Sequence, residues 1–186
     1  MKEIPELPAK KRKKYVSKFG LNAYDARVIS DEINMANFFE KTVANGADAK
    51  LASNWVTSDI VGYLKANKFS FNELKLSPEN LAEMINMISE NTISGKIAKE
   101  ILPELIQKNI SPKKLVEEKG LAMISDSSSI LPIIDQLIIE HPDEVQAFRN
   151  GKTKLLGFFV GQLMKKTKGK ADPKLANKLL AEKLNS

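Results

Sequence analysis

The chain has 186 residues, with 42% hydrophobic and 28% charged side chains, the balance of an ordinary globular protein able to bury a core without staples. There is no cysteine and a single histidine, His141, which excludes disulfides, thiolate metal sites and cysteine nucleophiles and argues against a Ser-His-Asp triad or a multi-histidine metal centre. No apolar run approaches the roughly 18 residues of a membrane span, and the N-terminus lacks the apolar stretch of a signal peptide. The expectation is a cytoplasmic protein with no membrane partner.

The net charge of +6 is unevenly placed. Residues 1–20 carry +5, residues 21–120 carry −2, residues 121–148 carry −5 and residues 149–186 carry +8. Two basic blocks flank an acidic middle, which permits a polyanionic partner without requiring one.

Taken in chain order, nearly every segment has helical periodicity and none alternates as a strand does. Prolines make Ile4-Pro5-Glu6-Leu7-Pro8 an extended linker, assigned to residues 1–8. A basic helix follows over about 9–19, stopped by Gly20. Its Lys10–Lys14 run has the look of a nuclear localisation signal. It reads first as a solvated helix face, with an RNA-facing patch second. Asn22 with Asp25 three residues on caps a helix carrying Val28, Met35, Phe38, Phe39 and Val43, which Asn45-Gly46 ends. Asp48 caps the next, through Asn67, with Val56, Ile60, Tyr63 and Leu64 on one side; Trp55 is assigned to the core. Ser77-Pro78 opens a helix presenting Leu81, Met84, Ile85 and Ile88. Ser94 caps one with Ile97, Ile101 and Leu105, in which Pro103 predicts a bend or a split. Ser111-Pro112 opens a short helix closed by Gly120.

The texture then changes. Ser125–Ser129 is small and polar, a candidate domain boundary, and a strongly apolar helix follows with Ile130, Ile133, Ile134, Leu137 and Ile138. His141-Pro142 ends it. A short acidic helix runs to Arg149, and Asn150-Gly151 turns into a helix over Lys152 to about Thr167. Lys168-Gly169-Lys170 is a basic loop, and Asp172-Pro173 caps a last helix with Leu175, Leu179, Leu180 and Leu184. The fold class is all-α: a helical middle domain over 9–120, then a small helical-bundle tail domain over 121–186.

Few segments carry chemistry. Gly151-Lys152-Thr153 looks like the end of a phosphate-binding loop, but Gln146 stands where that motif needs a glycine, and a helix precedes it; it reads as a turn. Carboxylates are scattered, with no acid/base pair. Gly157 and Gly161 are a small-xxx-small pair on one helix face. Since glycine costs about 1 kcal/mol in a helix interior, two of them need a reason. Either a neighbouring helix packs tightly there, or a partner such as a phosphate backbone approaches closely. Lys152, Lys154, Lys165, Lys166, Lys168 and Lys170 surround that helix. They form a candidate phosphate grip, salt-dependent and indifferent to base sequence, suited to a folded RNA recognised by shape. His141, before a proline, reads as a helix-end or turn residue.

The tail segments Gly151-Lys152, Leu156-Gly157-Phe158, Val160-Gly161-Gln162, Met164-Lys165 and Thr167-Lys168-Gly169-Lys170-Ala171, with Asp172-Pro173, resemble the tail domain of the B subunit of glutamyl/aspartyl-tRNA amidotransferases and its free-standing relatives. Leu7-Pro8, Tyr15, Gly20-Leu21, Tyr24-Asp25-Ala26, Gly46-Ala47-Asp48, Ala52-Ser53-Asn54-Trp55 and Thr92–Lys99 resemble that subunit's helical domain, and Glu118–Leu121 the link to the tail. The resemblance covers essentially the whole chain. It implies part of a complex that amidates Glu-tRNA(Gln) or Asp-tRNA(Asn), in which the B subunit activates the misacylated carboxylate with ATP and Mg2+ and a partner amidase subunit supplies ammonia from glutamine. The implied partners are tRNA, the amidase subunit and the small bridging subunit. Activation belongs to an N-terminal cradle domain. With that domain absent, this chain is expected to have no cofactor and no activity on its own. The resemblance further implies that the tail contacts tRNA through Lys152, Lys154, Gln162, Lys165, Lys166, Lys168 and Lys170, with Lys96 a weaker candidate. An alternative role is a docking module, in which the Gly157/Gly161 face and the apolar helix 130–139 receive other subunits. The Lys10–Lys14 run has no counterpart in the resemblance.

Overall fold

The computed structural model describes residues 7–124 and 126–185. The extended reading of residues 1–6 and the place of Ser125 lie outside the described residues. Every regular element among them is helical, and the one β-type pairing is a single bridge between Ile124 and Ala171. The chain divides into two compact units, Met1–Glu90 with Ala98–Lys119, and Asn91–Ile97 with Gly120–Ser186.

In the first unit, α1 (Pro8–Phe19) has proline in its first turn and ends at Gly20 in the left-handed conformation, φ 65°. The single helix expected after Asn22 is two, α2 (Ala23–Asp31) and α3 (Ile33–Ala44). Glu32 is extended between them, and its carboxylate accepts the backbone N–H groups of Asn34 and Met35, a cap that apolar spacing does not reveal. α4 (Ala49–Asn54), capped by Asp48, passes into a π-helical turn, Trp55–Ile60, and on into α5 (Val61–Ala66). A 3-10 turn at Phe71–Glu73, closed by a Ser70/Glu73 capping box, follows. Next come α6 (Pro78–Ser89), α7 (Gly95–Lys108), whose first three residues belong to the second unit, and α8 (Pro112–Glu118). Pro103 lies inside α7 and does not split it.

The basic run of α1 is a solvated face only in part: Lys10 and Lys13 are exposed, while Lys11 turns inward. Lys11 is only 7% exposed and donates to Glu40 of α3 at 2.9 Å. Lys14 and the Tyr15 hydroxyl also donate to Glu40, and Arg12 pairs with Asp31. Tyr15 and Phe19 pack edge-on against Phe39, with ring centroids 5.2 and 5.8 Å away. Trp55 is buried as expected, with the Lys99 ammonium over its ring and paired to Asp59.

In the second unit, α9 (Ser127–Glu140) begins inside the stretch read as a boundary, because the Asp126 carboxylate caps Ser128 and Ser129. α10 (Pro142–Arg149), α11 (Leu155–Lys166) and α12 (Pro173–Asn185) follow. Ile130, Ile134 and Leu137 of α9, Phe159 and Leu163 of α11, and Leu180 and Leu184 of α12 form one buried cluster. Spacing at i, i+3 and i+4 puts each set on one face, and burying those faces together holds the bundle.

Candidate nucleic-acid interface

α11 is shorter at its start than its periodicity suggested. Gly151 is left-handed (φ 96°), and the chain turns through Lys152–Lys154 before the helix begins at Leu155. Lys152 and Lys154 therefore stand on a turn, not within the helix as expected. The first N–H groups of α11 are spent on that turn: Leu155 donates to the Lys152 carbonyl, Leu156 to Thr153 and Gly157 to Lys154. Any anion at this end would be held by the lysine side chains.

At the other end, Thr167 accepts the N–H of Ala171 through its hydroxyl, and Lys168 and Gly169 are left-handed (φ 54° and 79°). The Ile124 N–H donates to the Lys170 carbonyl at 2.7 Å, and the Asp172 N–H donates to the Ile124 carbonyl. This bridge fixes the basic loop against the segment entering α9. A Cβ on Gly169 would come within 3.6 Å of the Lys96 side chain, so Lys96 lies beside the loop.

Between the two ends runs one exposed stripe: Lys154, Gly157, Gly161, Lys165 and Lys168. Gly157, Gly161 and Lys165, four residues apart, share one face of α11, whose 12 residues span about 18 Å, and Lys154 and Lys168 stand just beyond its two ends. A Cβ on Gly157 or Gly161 would meet nothing within 4 Å. Tight packing against a neighbouring helix is therefore not the reason for these glycines; they face open space. The stripe is a smooth floor with ammonium groups at both ends.

The candidate lysines divide by their commitments. Lys166 is paired with Glu140 at 2.8 Å, and Lys170 donates to the Gly120 carbonyl. The Lys166 hydrogen bond holds the Glu140 carboxyl below its ordinary value. Lys152, Lys154, Lys165 and Lys168 are exposed, and their ammonium groups have no hydrogen-bond or ion-pair partner among the described residues. Gln162 is half-buried beside the stripe. Lys174 and Lys178, outside the set expected from the sequence, are also exposed, one turn apart on α12.

The apolar helix offered as a docking face is mostly used by its own bundle, which buries Ile130, Ile134 and Leu137 and packs Ile133 and Ile138; Ile139 projects, 78% exposed. Phe159 is fully buried, and His141 stands edge-on to Phe158 at 5.1 Å at the end of α9. Among the described residues no group of three or more His, Asp or Glu is placed to hold a metal ion, and no helix is long and apolar enough to cross a membrane.

This all-helical chain belongs to the GatB domain family, whose sequence profile matches residues 37–184. Among relatives, it is 89% identical over 185 residues to the B subunit of the aspartyl/glutamyl-tRNA(Asn/Gln) amidotransferase of Prochlorococcus marinus (strain AS9601), covering 100% of this chain and 38% of that protein. It is 60% identical over 182 residues to the protein of the same name in Synechococcus sp. (strain CC9605), covering 98% of this chain and 37% of that protein. The chain thus spans less than two-fifths of the length of these curated relatives.

Proposed function

We propose that this chain is the tRNA-gripping portion of an amidotransferase B subunit. Its stripe of Lys154, Gly157, Gly161, Lys165 and Lys168 lies against the sugar-phosphate backbone of misacylated tRNA and positions it for transamidation elsewhere in the complex. The observation that supports this reading is the pair of open glycines between uncommitted ammonium groups. A protruding side chain would hold a backbone away, whereas glycine admits close approach, and lysines at both ends match a polyanion crossing the helix. Recognition of this kind follows the shape of folded RNA more than its base sequence.

On this reading activation with ATP and Mg2+ falls to the part of the longer relatives that this chain does not span. The amidase subunit and the small bridging subunit are further partners, and the chain alone does no chemistry.

The test is binding of tRNA(Gln) and tRNA(Asn) transcripts across a salt series. Affinity is expected to fall steadily as salt rises, and Lys165→Ala with Lys168→Ala is expected to weaken binding and flatten that dependence. Affinity that ignores salt, or a double variant that binds as the parent does, would overturn the proposal.

A further inference from the structure

The first unit holds a second feature, separate from the lysine-glycine stripe and not dependent on its reading. A cavity of about 380 Å3 is lined by Asn34, Asn37 and Lys41 of α3 together with Phe71, Asn72 and Leu74 from the 3-10 turn and the segment after it. Its size falls at the small end of ligand pockets. Asn34, Asn37 and Lys41 recur at i, i+3 and i+7, so α3 supplies them as one line, and the turn supplies the facing wall.

The polar side chains around this cavity, Asn34, Asn37, Lys41 and Asn72, are exposed, so the edges not used within the protein are open to a ligand. The Asn34 amide N–H2 donates to Glu32 Oε1 and to Asn72 Oδ1, which locks the two asparagines together across the rim. That leaves Asn34 Oδ1 as an acceptor and the Asn72 N–H2 as a donor without a partner among the described residues. Asn37 has its whole amide uncommitted, and Lys41 its ammonium, among the same residues. Phe71 is half-buried and packs edge-on against Phe38, with centroids 5.5 Å apart, so it is a fixed ring with part of its surface in the cavity. Lys41 is the one charged side chain lining the space among the described residues; the neighbouring Glu32 carboxylate is taken up by Asn34 and Met35.

We propose that this cavity binds an adenine nucleotide. An amide offers an acceptor and a donor side by side, the complement of the N6 amino group and N7 of adenine, and asparagine is the side chain that reads that edge. A fixed aromatic ring gives the base a stacking surface, and a lone ammonium at the edge takes the phosphate. The nucleotide is either free or an unstacked position in an RNA strand.

AMP titrated into the isotope-labelled 186-residue chain is the probe, followed by NMR. Saturable shifts are expected at the side-chain amides of Asn34, Asn37 and Asn72. Asn37→Ala and Asn72→Ala are expected to weaken AMP about tenfold or more, and Asn37→Ala, an exposed residue whose amide holds nothing else, to leave the thermal melt unchanged. Inosine monophosphate, which presents an acceptor in place of the N6 donor, is expected to bind about tenfold more weakly. A single-stranded oligoadenylate separates the sources: displacement of AMP at lower concentration than AMP itself assigns the site to RNA, and failure to displace it assigns the site to the free nucleotide. The Lys165→Ala, Lys168→Ala double variant should bind AMP as the parent does, so failure of the tail reading leaves this one standing. No saturable shift at millimolar AMP, shifts elsewhere in the chain, or equal affinity for inosine monophosphate would overturn it.

Discussion

The Lys11 ammonium donates to Glu40 Oε2 at 2.9 Å, joining the basic run of α1 to the middle of α3. Lys14 and Tyr15 reach the other carboxylate oxygen, so one acidic group answers three donors. A run that looks solvated in the sequence is in part a strut inside the first unit.

Replacing Glu40 leaves a buried ammonium without its counter-ion. Glu40→Gln is expected to cost about 1.5–3 kcal/mol, the range for hydrogen bonds to charged groups, read as a lower urea midpoint with an unchanged slope. The same group makes stability depend on pH. Burial works to raise the Glu40 pKa, but the hydrogen bonds from Lys11, Lys14 and Tyr15 together outweigh it and leave the value below 4.5. A carboxyl more acidic when folded than unfolded stabilises the fold above its ordinary value, and that contribution is lost as pH falls through the folded value. Urea melts of parent and Glu40→Gln should therefore differ at neutral pH and converge on acidification below about 4.5.

The open glycines allow stability and binding to be moved in opposite directions. Gly161→Ala is expected to raise stability by about 0.5–1 kcal/mol, since alanine is the better helix former and the added methyl meets nothing. The same change should weaken tRNA binding by intruding on the close approach. Thermal melts and filter binding on one preparation measure both. A glycine kept only by chance would show the first effect without the second.

The lysines are expected to act unequally. Lys166 and Lys170 are already engaged with Glu140 and the Gly120 carbonyl, whereas Lys165 and Lys168 are not. Single alanine variants at Lys165 and Lys168 should each lower tRNA affinity more than those at Lys166 and Lys170. Lys166→Ala should show itself instead as a small drop in Tm, the ordinary yield of an ion pair at the surface.

Phe159 carries the centre of the second unit's core. Phe159→Ala is expected to cost about 3–5 kcal/mol, because the ring is fully buried between α9 and α12 residues that cannot collapse into its place. Calorimetry should show the loss in Tm.

Helix type and most helix ends were legible in the chain itself, because caps and periodicity are local. Asn22, Asp48, Ser77 and Ser111 each accept the backbone N–H that their position implies. The break at Glu32 was not legible, since glutamate is not among the preferred caps and only the packing of α2 and α3 turns its carboxylate back onto Asn34 and Met35. The lysines around α11 were visible as charge, but which of them are free was not, because Glu140 is 26 residues from Lys166 and Gly120 is 50 from Lys170. The glycine pair could be found by spacing alone. Whether it faced a helix or open space depended on where α9, α10 and α12 pack around α11, a matter of contacts distant in sequence that no local pattern encodes.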